Sequence, residues 1–154
     1  MRRAFTLIEL LVVIAIIGVL STLSMVALAY ARRASKIAKA QHDIDAIVLA
    51  VKQLENDTGE WPRHQLVDQV VTSGSNEAWD LNADDVGISA TDGAFPGWRG
   101  PYMTAVPKDP WGNDYFYDSD YLVGGDNKTV IGSFGPNGVG QNLYDADDIV
   151  KILR

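Results

Sequence analysis

Phe5-Thr6-Leu7-Ile8-Glu9-Leu10-Leu11-Val12-Val13-Ile14 opens an apolar run that continues to Ala31, and Glu9 is its only charge. As a helix rising 1.5 Å per residue, residues 5–31 extend ~40 Å, against ~30 Å of bilayer hydrocarbon. An ionisable side chain in such a segment is costly, on the order of 2.5–3.5 kcal/mol for Asp at a helix centre on insertion scales. Glu9 lies one turn into the run, which points to a partner near the membrane surface. The plain reading is a single-span anchor. Gly18, Ser21, Thr22 and Ser24 fit it, since small and hydroxylated residues let helices approach and hydrogen-bond. A secretory signal is the alternative, with Arg2 and Arg3 as its basic region and Ala29-Tyr30-Ala31 as its cleavage site. The run is longer than the ~7–15 apolar residues of such signals, and Glu9 interrupts its start. Arg2, Arg3 and the amino terminus before the run face Arg32, Arg33, Lys36 and Lys39 after it, so the positive-inside rule gives no clear orientation.

Beyond the run, Ile37, Ala40, Ile44, Ile47, Val48, Val51 and Leu54 recur at three- and four-residue spacing, one face of an amphipathic helix. The pattern predicts one helix from about Thr6 to about Glu55, closed by Asn56-Asp57-Thr58-Gly59 with Gly59 free to adopt a left-handed cap. Trp61-Pro62 bars helix at Trp61, and a short second helix is expected over His64–Val71. Residues 72–97, rich in Gly, Ser, Asn, Asp and Ala, read as a surface loop. Tyr115-Phe116-Tyr117, Tyr121-Leu122-Val123 and Thr129–Phe134 read as three short strands. The fold class is α+β: a long N-terminal helix, half membrane and half amphipathic, packed on a small antiparallel sheet. Trp98 and Trp111 read as packing residues.

The net charge of −7 includes +1 from Arg2, Arg3 and Glu9, so residues 32–154 carry −8. That balance disfavours nucleic acid, whose binding rests on neutralising phosphates. With no cysteine there is no disulfide framework, thiolate nucleophile or Cys-ligated zinc. His42 and His64 read as surface residues, and no nucleophile–base grouping or nucleotide fingerprint marks an enzyme. Asp145-Ala146-Asp147-Asp148, after the Gly/Asn-rich stretch from Gly135, collects oxygen donors of the kind that suit Ca²⁺; a solvated acidic turn is the plainer reading. Asp118-x-Asp120 lacks the remaining ligands of an EF-hand.

The basic leader, Phe5, Glu9 four residues later and the apolar run together resemble the N-terminal signal of type IV pilins and pseudopilins. The resemblance implies that residues 1–4 are a leader, cut between Ala4 and Phe5 by a prepilin peptidase that methylates the new Phe5 amine. Residues 5–31 are then a transmembrane and polymerisation helix, and 32–154 a periplasmic or extracellular pilin-like domain. Ala4 stands where the family usually has Gly, and Val26 where members often have Pro. In a filament Glu9 would neutralise the Phe5 amine of a neighbouring subunit, since pairing lowers the cost of two charges in lipid. A Glu9–Phe5 contact within one helix is the competing arrangement.

Trp98-x-Gly100-Pro101-Tyr102, Pro107-Lys108-Asp109-Pro110-Trp111-Gly112-Asn113-x-Tyr115-x-Tyr117, Ser133-x-Gly135-Pro136-Asn137-Gly138 and Asp147-Asp148-Ile149 extend the likeness. These segments are similar to the protein G family, the major pseudopilins of type II secretion systems. The likeness implies a structural subunit of a secretion pseudopilus, made of copies of itself. Minor pseudopilins, the prepilin peptidase and an inner-membrane assembly platform are its implied partners. The implied location is the inner membrane, single-pass, with the globular domain periplasmic until extraction into the filament. It also implies a structural Ca²⁺ held by Ser133, Asn137, Asp147 and Asp148 side chains and the Phe134 carbonyl, with Asp145 able to replace either later Asp. Asn137 stands where the family usually has Asp, which lowers the charge of the site. A type IV pilus pilin is the alternative, and a non-polymerising anchored or secreted binding module a weaker one.

Overall fold

The computed structural model describes residues 6–67, 69–71, 77–140 and 145–153. It contains one long helix, α1 (Leu7–Thr58), two very short strands, β1 (Glu60–Trp61) and β2 (Gln65–Leu66), and three longer ones, β3 (Tyr115–Val123), β4 (Asp126–Ser133) and β5 (Ile149–Ile152). The chain divides into two units, residues 1–36 and 37–154.

In the first unit α1 is unbroken, and every residue from Thr6 to Lys36 is exposed. The Ser21 and Ser24 hydroxyls donate to the carbonyls of Ile17 (2.7 Å) and Leu20 (2.8 Å), and Thr22 to Val19 (2.8 Å). These polar groups are satisfied inside their own helix, so they leave an otherwise apolar surface.

In the second unit, α1 buries Ala40, Ile44, Ile47, Val48, Ala50, Val51 and Leu54. This is the periodic stripe read from the sequence, with Ala50 added and Ile37 only half-buried. The helix stops where Gly59, at φ +73°, donates its N–H to the Glu55 carbonyl (2.8 Å), the left-handed closure expected of Gly59. The Thr58 hydroxyl donates to Leu54 O (2.7 Å) and accepts from Glu60 N (3.0 Å), turning the chain out of the helix.

The expected helix over His64–Val71 does not form. Arg63 and His64 sit at φ +60° and +57°, and the chain reverses so that Trp61 pairs with Gln65 and Glu60 with Leu66. Gln65 is buried, and its side-chain oxygen accepts from the Tyr117 hydroxyl (2.6 Å). Residue 68, within that segment, lies outside the described residues.

The main sheet is antiparallel in the order β3-β4-β5. Two of the three expected strands are one, because 115–117 and 121–123 belong to the same β3. Gly124 and Gly125, both at positive φ, form the two-residue turn to β4 that the twist of a hairpin prefers. The third strand of the sheet is β5, which the sequence reading missed.

Tyr115, Tyr117 and Ile131 cover the α1 stripe, together with Trp61, Leu81, Val86, Ile88 and Val106. Residues 77–97 are therefore more than a surface loop: Ala78 bridges Tyr117 through two backbone hydrogen bonds, and Leu81, Val86, Ile88 and Phe95 are buried. The Tyr115 hydroxyl donates to Asp43 on α1 (3.0 Å). Burial pushes both tyrosine hydroxyls well above their usual range, so they stay protonated donors.

Phe116 points to the other face and packs with Tyr121 and Val130. Residues 116 and 121 should lie on opposite faces of a regular strand. They share one because Asp118 pairs with Val130 and Tyr121 with Lys128, so Ser119 and Asp120 together oppose Thr129. This β-bulge reverses the parity of β3. Trp98 and Trp111 are both half-buried, and the Trp98 indole donates to Gly87 O (2.7 Å).

His64 is half-buried rather than a plain surface residue. Its Nδ1 lies 2.9 Å from Glu60 and its Nε2 3.0 Å from Asp92, with the ring 3.9 Å from that of Phe95. Burial works against its charge, but hydrogen bonds to Asp92 and Glu60 outweigh it and raise the His64 pKa. A raised folded pKa gives stability that is complete below the unfolded value of about 6.5 and lost as pH rises through the folded value. The full chain in detergent should therefore lose melting temperature as pH rises above about 6.5, and His64→Gln should lose less over the same rise. A second test concerns packing: a Cβ on Gly132 would lie 2.5 Å from the Phe116 ring and 2.9 Å from Val150. Gly132→Val should destabilise the fold by about 1–3 kcal/mol, read by denaturant unfolding.

Candidate functional site

Two groups of residues carry the expected chemistry. The first is at the start of α1. Glu9 Oε2 accepts from the Thr6 backbone N–H (2.8 Å) and from the Thr6 hydroxyl (2.7 Å), while Thr6 Oγ1 also accepts from Glu9 N (3.3 Å). Thr6-x-x-Glu9 is thus a capping box: each side chain satisfies an amide that the helix end leaves free. The T-x-x-E spacing was legible in the sequence, and the reading of Glu9 as a lone charge passed over it. Ala4 and Phe5, the expected processing residues, lie outside the described residues.

The second is the loop from β4 to β5, of which residues 141–144 lie outside the described residues. It is anchored from below by Asp109, which is buried in the Pro107–Asn113 turn. Asp109 Oδ1 accepts from Trp111 N (2.9 Å) and Asn113 N (2.8 Å), and its Oδ2 from the Ser133 hydroxyl (2.6 Å). Asn113 Nδ2 then donates to Gly135 O (3.2 Å). The Phe134 ring stacks on Phe116 at 4.4 Å. Gly135, at φ +62°, is where the two ends of the loop meet: a Cβ there would lie 2.1 Å from the Asp147 carbonyl oxygen. Only glycine fits.

Two carboxylates, Asp145 and Asp147, converge on Asn137, and Asp148 joins them through the Asp145 backbone. The Asn137 amide donates to Asp145 Oδ2 (2.7 Å) and Asp147 Oδ1 (2.6 Å), and its backbone N–H to Asp147 Oδ2 (3.1 Å). Asp148 Oδ2 accepts from the Tyr121 hydroxyl (2.6 Å) and from Asp145 N (3.3 Å). Asp148 Oδ1 is buried with no hydrogen-bond partner among the described residues. Burial pushes the Asp148 carboxyl up, against the pull of Tyr121, while hydrogen bonds from Asp147 and Asn137 hold Asp145 down. No lysine or arginine among the described residues forms an ion pair with Asp145, Asp147 or Asp148. An all-oxygen set with an orphaned buried carboxylate oxygen fits a hard cation such as Ca²⁺.

Of the five expected metal residues, Asn137, Asp147 and Asp148 come together, joined by Asp145. The Ser133 hydroxyl is engaged elsewhere, with Asp109, while Phe134, expected to offer only its carbonyl, stacks its ring on Phe116. Asp109 and Tyr121 organise the loop and were not singled out in the sequence. A turn-forming Asp four residues before an Asn was the available signal for Asp109. Nothing local marks Tyr121, which reaches the loop only because the bulge turns its side chain.

Comparison with known proteins identifies the family and the fold. The family described as type II secretion system (T2SS), protein G, matches residues 28–152, and the prokaryotic N-terminal methylation motif matches residues 1–25. The type II secretion system core protein G of Klebsiella pneumoniae is 31% identical over 146 residues, 94% of this chain and 91% of that protein. The core protein G of Vibrio cholerae is 30% identical over 143 residues, 89% of this chain and 84% of that protein. The crystal structure of the major pseudopilin from the type 2 secretion system of enterohaemorrhagic Escherichia coli superposes with a TM-score of 0.52 at 20% identity. That superposition covers 80% of this chain and 91% of the other, and it establishes the shared fold. The chain therefore belongs to the type II secretion system protein G family, with the α+β, pilin-like fold of a pseudopilin.

Proposed function

We propose that this chain is the structural subunit of a type II secretion pseudopilus, polymerising with copies of itself through α1. The observation that carries the reading is the capping box at Glu9, on a helix whose apolar run from Leu10 to Ala31 is exposed throughout. An apolar surface of that length requires lipid or other helices around it. Residues 1–4 act as a leader, removed between Ala4 and Phe5 by a prepilin peptidase that methylates the Phe5 amine. Residues 5–31 then hold the subunit in the inner membrane, with 32–154 on the periplasmic side. The new amine of one subunit meets the Glu9 carboxylate of its neighbour, and a subunit out of register leaves both charges bare in a low-dielectric environment. In the single chain Thr6 shields Glu9, which lowers the cost of holding the carboxylate ready before assembly. Minor pseudopilins and an inner-membrane assembly platform are the further partners. The role is structural, and the work of extracting subunits comes from elsewhere in the secretion machine.

Ca²⁺ completes this reading. Asp145, Asp147 and Asp148 would hold it, with the Asn137 side-chain oxygen, after the Asn137 amide gives up its hydrogen bonds to the carboxylates. The cation supplies the positive charge that the loop lacks and ties the loop to the sheet through Asp148. It stabilises by binding the folded state alone.

Two tests follow, both on the full chain. Glu9→Gln keeps the capping acceptor but removes the charge, whereas Glu9→Val removes both. Both variants should insert in the membrane and fail to form filaments in cross-linking assays; filaments from Glu9→Gln at the wild-type level would contradict the charge pairing. Excess chelator should lower the melting temperature, and Asp147→Ala should abolish that dependence and reduce filament yield. An unchanged melting temperature in chelator that strips the metal would count against a Ca²⁺ site.

A further inference from the structure

A second acidic group lies on the sheet, away from the β4–β5 loop. We propose that Glu77, Asp118 and Asp120 form a separate divalent-cation site, suited to Ca²⁺. The Ala78–Tyr117 bridge sets Glu77 opposite Asp118. The bulge then folds Asp120 back, its N–H donating to Asp118 Oδ1 (2.8 Å). One carboxylate oxygen from each of the three lies within 4.8 Å of the other two. Oxygens bound to one Ca²⁺ at ~2.3–2.6 Å can be no farther apart than about 5 Å, so one ion reaches all three.

The positions of Glu77 and Asp120 point to a ligand. Glu77 is only 9% exposed, and its carboxylate, aimed at the other two, has no hydrogen-bond partner among the described residues. Asp120 Oδ1 is fully buried and likewise has no partner. No lysine or arginine among the described residues forms an ion pair with either. Buried carboxylates this close cannot all ionise without a compensating charge. Burial, with the neighbouring Asp120 and Glu77 charges, pushes Asp118 up to about 7. A proton shared between Asp118 and Asp120 would relieve that pair but leave Glu77 without a partner. A cation satisfies all three. Bound there, it would pin residues 77–78 to the bulge of β3.

The test is the number of Ca²⁺ bound by the full chain in detergent, counted by calorimetric titration with Ca²⁺ alone. Glu77→Gln and Asp120→Asn should each bind one ion fewer than wild type, while Asp147→Ala, which alters only the β4–β5 loop, should keep that ion. Should Asp120→Asn fail to fold, Glu77→Gln decides. Unchanged stoichiometry in Glu77→Gln overturns the site. So does a Ca²⁺-independent rise in its melting temperature, which would mean that relief of repulsion was all the cluster needed.

Discussion

The globular unit depends on the contact between one stripe of α1 and one face of β3. Ile44, Ile47, Val48 and Val51 present branched aliphatic side chains, and Tyr115 and Tyr117 pack in one core with them, their hydroxyls tied to Asp43 and Gln65. A buried tyrosine is stable only if its hydroxyl finds a partner. The Tyr115–Asp43 bond therefore ties β3 to the helix, and the Tyr117–Gln65 bond ties it to β2. Fully burying such side chains is worth about 1.5–3 kcal/mol each, so this contact outweighs any surface ion pair in the molecule.

The bulge in β3 extends that order to the second face of the sheet. By reversing parity between Asp118 and Tyr121, it places Tyr121 beside Phe116 and within reach of Asp148. The loop between β4 and β5 is thus held from two sides: by Tyr121 through Asp148, and by Asp109 through Ser133. Both anchors come from β3 or the turn before it, so the loop inherits its position from the same strand that covers the helix.

What was legible in the sequence follows from locality. The long helix, its stripe and its Gly59 closure are set by spacings of three and four residues and one glycine, and all were readable. The acidic members of the β4–β5 loop were readable for the same reason, being close together in the chain. The missed features depend on distant partners. The positive φ of Arg63 and His64 is compensated by the β1–β2 pairing and the Tyr117–Gln65 bond, which local propensity does not encode. Residues 77–97 looked like loop because their apolar residues are scattered, yet Leu81, Val86 and Ile88 reach the core. Ile149–Ile152 is too short to be told from a terminal tail until β4 supplies its hydrogen bonds. The grouping of Glu77 with Asp118 and Asp120 depends on a single β-bridge.

The central claim is that this chain becomes a filament subunit by exposing a charged amine next to Glu9. The most direct measurement is the intact mass and N-terminal sequence of the protein taken from native membranes. A chain that begins at N-methylated Phe5 is the predicted result. A chain that begins at Arg32, or one that retains Met1, would contradict it, because neither presents the Phe5 amine that Glu9 is there to meet.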